Sequence, residues 1–497
     1  MNFNSVGFLV FLPVVVLLYW LLPHKGRWIL LLAASCLFYM SWNVWLIGLI
    51  FITTLTAYTS ALGIDAAKKK GTKKIWLAVT LVVCLGLLVF FKYINFILES
   101  VTGVIRLFRP GQDDVVLDVI LPVGISFYTF QTLSYVIDVY RGDFKAERHF
   151  GYFALYVSYF PQLVAGPIER PQTLLPQLKE RHFIDEEDML SGAKWLLSGF
   201  FRKCVVADFC GMFVDKVYAD LGAANGLAVF AASALFLIQI YNDFAGYSEI
   251  AMGSARLMGV KLTKNFDRPL TSTSYTEFFR RWHITLNQWF TQYVYIPLGG
   301  NRKGTARKIW NTLIVFTLCG LWHGANWTFV LWGLVAGIAV SAETLFAKFG
   351  KMPRGESVGA SSGEKPTVAL FRRIALFLLF TLSCVLFRAQ SLGDAGVAFR
   401  QMFSDWGIGE AYLNAALSAL GMSAGQILQL AVILAAMTLL YRLTEERPGR
   451  EGRLCAAVRT DARENAALFV YGILAVALFW LALLSSGDVS GFEYFQF

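Results

Sequence analysis

Ile75-Trp-Leu-Ala-Val-Thr-Leu-Val-Val-Cys-Leu-Gly-Leu-Leu-Val-Phe-Phe91 contains no charged residue, and Lys68, Lys69, Lys70, Lys73 and Lys74 stand just before it. A run of this length is what one helix needs to cross a hydrocarbon core of roughly 30 Å. Comparable runs recur at Val6–Leu22, Trp45–Ile64, Ile427–Leu443 and Ala466–Leu484, with a shorter one at Ile374–Phe387. Composition agrees: the 497 residues are 56% hydrophobic, 15% aromatic and 16% charged, whereas soluble chains carry roughly a quarter charged residues. Continuous runs, rather than short alternating strands, select helices over a closed barrel, the other structure that satisfies its backbone in lipid. The predicted fold class is therefore an all-α polytopic membrane protein. The first run follows Met1-Asn2-Phe3-Asn4-Ser5 without a basic segment and precedes no small-residue cleavage site, so it reads as a retained span.

The formal charge of +10 is explained first by topology. The lysine loop and a second cluster, Arg447, Arg450, Arg453, Arg459 and Arg463, are both expected on the cytoplasmic side. Counting spans then puts His24-Lys25-Gly26-Arg27 inside and both termini outside. No basic-aromatic pattern points to nucleic acid, so the partners implied by charge are membrane lipids. The cysteines at 36, 84, 204, 210, 319, 384 and 455 show neither zinc nor thioredoxin spacing and read as packing residues, and no metal site is expected.

Texture divides the chain into four parts. Residues 1–108 read as a transmembrane scaffold and 109–345 as a catalytic core with re-entrant segments, followed by a flexible loop at 346–372 and C-terminal helices at 373–497. In the core, Gly, Pro and polar residues thread through apolar sequence, as in Leu121-Pro-Val-Gly-Ile-Ser-Phe-Tyr128. Irregular backbone at membrane depth must be buried in protein or line a cavity.

The chemistry-bearing residues lie in that core. His323 sits within Phe316-Thr-Leu-Cys-Gly-Leu-Trp-His-Gly-Ala-Asn-Trp-Thr-Phe-Val-Leu331, where no neighbour is charged. Desolvation disfavours the imidazolium, so this ring is expected to be neutral and able to accept a proton. A hydrogen-bonded core histidine joining two helices fits the stretch equally well. Cys319, one turn earlier, shares its face, but apolar surroundings keep a thiol unreactive. Asn242, Asp243, Tyr247 and Glu249 cluster at the end of another apolar run. They read first as members of a helix-pairing ion pair, with Arg256, Arg280 or Arg281 as candidate partners. Phe278–Phe290 reads as one amphipathic helix with Arg280, Arg281 and His283 on its flanks, suited to the interface. The same arginines suit the phosphates of a cytoplasmic cofactor. Pro297–Gly304 lacks the ending of a phosphate loop and reads as a turn. His24, His149 and His182 lie in charged loops and are expected to be solvated.

Five blocks, Phe160-Pro-Gln-Leu-Val-Ala-Gly-Pro-Ile-Glu-Arg-Pro171, Tyr241-Asn-Asp-Phe-Ala-Gly-Tyr-Ser248, Arg280-Arg-Trp-His-Ile-Thr-Leu286, Tyr295-Ile-Pro-Leu-Gly-Gly-Asn-Arg302 and Gly320-Leu-Trp-His-Gly-Ala-Asn-Trp327, resemble membrane-bound O-acyltransferases in content and order. More narrowly they resemble the bacterial alginate O-acetylation branch. The resemblance runs from about Leu121 to Trp332, and more loosely over both ends. It implies a bundle of about 11–13 transmembrane or re-entrant helices around a central funnel, long enough each to span or dip into the bilayer. It also implies His323 as the catalytic histidine, His283 as the auxiliary site, and acetyl-CoA as acyl donor rather than any permanently bound cofactor. The remaining implications are a location in the bacterial inner membrane, an exported polysaccharide as acceptor, and a periplasmic acetyltransferase as partner. In that frame Asn326, Trp322 or the amides near Gly324 would stabilise the oxyanion, and Asn242 and Asp243 belong to the intramembrane core. A D-alanyl transferase acting on a cell-wall polymer and a secondary transporter are the rival readings, although the inverted repeats of a transporter are not seen.

Overall fold

The computed structural model describes residues 1–111, 113, 115–348 and 366–443, and among these the chain is helical with no strand. The arginine loop at 447–463, Cys455, the apolar run 466–484, the aromatic end 492–497 and residues 349–365 of the expected flexible loop lie outside the described residues.

Among the described residues, five helical stretches are long and apolar enough to cross a membrane: Val44–Ala66, Lys70–Phe108, Gly226–Arg256, Trp327–Lys348 and Pro366–Arg388. The pair Glu410–Leu420 and Ala424–Thr438, bent by 70°, makes a sixth if counted as one broken span. The protein is thus an all-α polytopic membrane protein. Two spans exceed their sequence-based bounds. Ile75–Phe91 is only part of a 39-residue helical stretch that passes through a π-turn at Val89–Tyr93. Ile374–Phe387 lies in a 23-residue helix, because Arg372 and Arg373 end the apolar run without ending the helix.

By chain contacts the molecule divides into two compact units, Met1–Gly192 with Ala251–Thr263, and Ala193–Ile250 with Lys264–Phe497. The first unit holds α1 (Val6–Leu21), α2 (His24–Met40), α3 (Ile47–Ala66), α4 (Lys70–Leu88), α5 (Ile94–Phe108), α6 (Ile125–Arg141), α7 (Phe150–Ser158) and α8 (Pro171–Lys179). Its centre is the irregular segment from Tyr159 to Glu169, buried throughout. Burial there is possible because polar side chains satisfy the broken backbone. Gln131 and Gln162 both donate to the Tyr156 carbonyl, at 2.6 and 3.0 Å, and the Tyr156 hydroxyl donates to the Glu169 carbonyl at 2.9 Å. The Glu169 carboxylate accepts from the Thr263 amide at 2.5 Å and from the hydroxyls of Thr263 and Thr173 at 3.0 Å each. Of the histidines expected to be solvated, His149 is exposed as expected and His182 is half-buried, and both also make local hydrogen bonds. His149 Nδ1 accepts from the Tyr152 amide at 3.2 Å, capping α7, and its ring meets Trp28 edge-on at 5.0 Å. His182 Nε2 bonds the Gln177 carbonyl at 2.7 Å. Both loops are short enough to fold back on a helix end, which charge content alone does not reveal.

Helix α9 (Glu186–Phe200) and helix α11 (Gly226–Arg256) carry the chain between the units, and α10 (Asp208–Ala219) lies between them in sequence. The second unit continues with α12 (Tyr275–Arg281), α13 (Ile284–Phe290), α14 (Gly304–His323), α15 (Trp327–Lys348), α16 (Pro366–Arg388), α17 (Leu392–Ser404), α18 (Glu410–Leu420) and α19 (Ala424–Leu443). Helices α14 and α15 form a tight hairpin. A Cβ on Gly320 would stand 3.0 Å from Gly333 Cα and would overlap the Phe329 carbonyl, so only glycines allow this approach. Helix α12 is capped from α15, since the Glu343 carboxylate accepts from the amides of Tyr275 and Thr276 at 2.5 and 2.9 Å. Aromatic stacking of Phe278 on Phe380, with centroids 3.7 Å apart, joins α12 to α16.

Candidate functional site

The glycine hairpin decides where His323 goes. As the last residue of α14, it is followed by the three-residue link Gly324-Ala325-Asn326, and the returning α15 brings Trp332 against the ring at 5.4 Å. Phe387 of α16 meets the same ring at 5.3 Å, and Trp322 at 5.0 Å. Cys319 Sγ lies 3.9 Å from His323 Nε2, as one helical turn predicts. His323 remains 6% exposed, against 1% for His283.

Phe278–Phe290 is not the single helix that its apolar spacing predicts. It breaks into α12 and α13 at Trp282 and His283, and His283 takes the left-handed conformation with φ 45°. A non-glycine residue there costs of order 1–3 kcal/mol, so the surroundings must hold it. Two asparagines do. Asn287 Nδ2 donates to the carbonyls of Phe279 and Trp282 at 2.7 and 2.6 Å, and the Ile284 amide donates to the Asn265 carbonyl at 2.8 Å. The Asp267 amide also donates to the Arg281 carbonyl at 2.8 Å. Breaking the helix turns the His283 ring inward, to 6.5 Å from His323 and 5.7 Å from Trp322 between centroids. His283 lies outside the long spans. Burial, followed by the neighbouring His323, holds its pKa well below the ordinary histidine value.

One face of α11 completes the enclosure. Tyr241, Phe244 and Ser248 recur at helical spacing. Tyr241 packs on Trp282 at 5.9 Å and Phe244 meets His283 edge-on at 4.6 Å. The adjacent face carries charge. Asp243 pairs with Lys203 at 2.7 Å and Glu249 with Arg202 at 2.8 Å, while Arg202 Nη1 donates to Asn242 Oδ1 at 3.2 Å. Lys203 also reaches Asp208 at 2.7 Å.

The cations paired with Asp243 and Glu249 thus come from the π-turn Phe201–Ala207, not from Arg256, Arg280 or Arg281, which nearness in sequence had suggested. Arg256 pairs with Asp188 at 2.7 Å, Arg281 pairs with Glu277 at 2.8 Å, and Arg280 is exposed. Asn326 also serves locally: its Oδ1 accepts from the Thr328 amide at 3.0 Å and its Nδ2 donates to the Gln390 carbonyl at 2.7 Å. Of the expected site residues, the structure brings together His323, His283 and Trp322. It sets Asn242 and Asp243 one helix face away, Asn326 at the start of α15, and Arg280 and Arg281 at the end of α12. Sequence reasoning passed over Asn265, Asn287, Arg202 and Lys203. Asn265 lies between Lys264 and Phe266 in a polar stretch, which gave no local signal of its role.

Fold and site together define a polytopic helical membrane protein with two imidazoles enclosed by aromatic rings. The chain belongs to the membrane-bound O-acyltransferase family, whose profile matches residues 31–356. It is therefore an O-acyltransferase. Among its relatives, a probable alginate O-acetylase of Azotobacter vinelandii is 39% identical over 82% of this chain and 79% of the relative. A probable alginate O-acetylase of Pseudomonas putida is 36% identical over the full length of both proteins. A peptidoglycan O-acetyltransferase of Helicobacter pylori is 31% identical over 83% of this chain and 81% of the relative.

Proposed function

We propose that this protein transfers acetyl groups from acetyl-CoA on the cytoplasmic side of a bacterial inner membrane toward an exported polysaccharide of the alginate type, completed by a periplasmic acetyltransferase. The observation that carries the chemistry is the enclosed pair His323 and His283, 6.5 Å apart. Similarity at 36–39% to the two probable alginate O-acetylases supports the acceptor class.

In this reading His323 takes the proton of the attacking hydroxyl, and the oxygen adds to the thioester carbonyl carbon. The tetrahedral oxyanion then collapses, the carbon–sulfur bond breaks, and the imidazolium returns the proton to the departing thiolate, leaving an ester and free coenzyme A. Trp322, whose ring lies beside both imidazoles, would in this reading offer its indole N–H to the oxyanion. Its ring, with Trp332 and Phe387, keeps out the water that would hydrolyse the thioester. In this reading the phosphates of the donor meet the guanidinium groups at the end of α12, Arg280, which is exposed, and Arg281, which pairs with Glu277.

The test is acetyl transfer from labelled acetyl-CoA by the full-length protein in lipid vesicles. His323→Ala should abolish transfer while the protein still purifies folded, and His283→Ala should lower the rate by roughly 10²-fold or more. Full activity in His323→Ala overturns the catalytic assignment. A peptidoglycan acceptor is the second reading, supported by the Helicobacter pylori relative. Acetate appearing on muropeptides, with none on a uronate polymer, decides for it. Turnover only with a carrier-protein thioester would instead point to a D-alanyl transferase.

A further inference from the structure

Asn265 is fully buried in the segment before α12 and holds the turn at His283 in two ways: its carbonyl accepts from the amide of the next residue, Ile284, at 2.8 Å, and its side-chain Oδ1 lies 3.2 Å from His283 Nδ1. Which end of the asparagine amide faces the histidine is settled by its other neighbours. The same atom accepts from the Thr285 amide at 3.3 Å and from the Thr285 hydroxyl at 2.9 Å. A backbone amide is only a donor, so the atom it meets is the oxygen. The Nδ2 end points the other way and donates to Ser248 Oγ of α11 at 3.3 Å. An oxygen that already accepts two hydrogen bonds has no proton to give to Nδ1. The proton in that contact belongs to the histidine.

We infer that Asn265 is a positioning residue that fixes neutral His283 as the Nδ1–H tautomer and so places its lone pair on Nε2. The hydrogen bond made by one ring nitrogen decides the role of the other. The direction is anchored in the fold by Thr285, on the first turn of α13, and Ser248 on α11, so it does not depend on substrate. His283 thereby presents a fixed acceptor in the enclosed site, where His323 is the titratable group that faces it. This inference rests on the acyl-transfer reading for its use, while the tautomer itself does not.

The experiment is nitrogen-15 NMR of histidine-labelled, full-length protein in lipid bilayers at alkaline pH, with the His283 signals assigned by their loss in His283→Gln. The wild type should show a protonated Nδ1 and an unprotonated Nε2. Asn265→Leu should lose that preference and lower kcat by roughly 10²-fold, the size of one acid–base contribution, with KM for acetyl-CoA little changed. Asn265→Asp, which keeps an oxygen facing Nδ1, should retain the tautomer and recover most of the rate. An Nε2–H signal in the wild type overturns the inference, as does an unaltered tautomer in Asn265→Leu. Should wild-type protein transfer no acetyl group at all, the functional reading fails, and the tautomer measurement still decides this one.

Discussion

His283 is held under three constraints at once. It adopts a left-handed backbone without being glycine, it is 1% exposed, and it faces a second imidazole. Its depressed pKa has a consequence for stability. Below about pH 6.5, the ordinary value, the unfolded chain binds a proton that the folded protein does not, so stability must fall as pH falls through that value. Above it, both states are neutral at this position and the contribution is flat. Thermal unfolding in lipid nanodiscs should show the loss on the acid side, and His283→Gln should flatten part of that slope. An identical pH profile in the variant would show that the ring titrates normally.

Among elements, the π-turn Phe201–Ala207 and helix α11 are joined by two buried ion pairs, with Lys203 and Asp243 both 2% exposed or less. Removing one member of a buried pair costs about 3–5 kcal/mol, because its partner stays desolvated, whereas replacing both with apolar groups is often close to neutral. Lys203→Met should therefore destabilise the folded protein by that amount, and Lys203→Met with Asp243→Leu should regain much of it. Tm measurements on the single and double variants give the coupling. Additive losses would mean that the pair holds nothing together. A drop in activity in the double variant, at restored stability, would mean that the charges also act on the neighbouring site. These partners were hidden in the sequence because Arg202 and Lys203 lie some 40 residues before the carboxylates they meet. Likewise the break at His283 was hidden because apolar residues at 278, 279, 282, 286, 289 and 290 fit an unbroken helix. Backbone hydrogen bonds from Asn265 and Asn287 outweigh that pattern.

For the molecule as a whole, orientation follows from charge. A cysteine introduced at Lys70 should react with an impermeant maleimide in inside-out vesicles and not in right-side-out ones, if the lysine loop lies on the cytoplasmic side as its charge predicts. The opposite labelling would invert every topological assignment and place the donor on the wrong side of His323.

The amino-acid sequence by itself determined that this is a helical membrane protein, and it singled out the two histidines proposed as the site. Long uncharged runs select helices in lipid, and His323 stands out against the apolar stretch that holds it, whereas His283, two residues after Arg281, was singled out only through the family resemblance. The tertiary structure alone decided which groups meet. The close glycine approach of α14 and α15 sets His323 against Trp332, and a strained residue between two short helices brings His283 to it. Cations far back along the chain neutralise Asp243 and Glu249. The physical reason is that hydrophobicity is a property of each segment, readable locally. Pairing of buried polar groups depends on distance in space, which arises only when the helices pack.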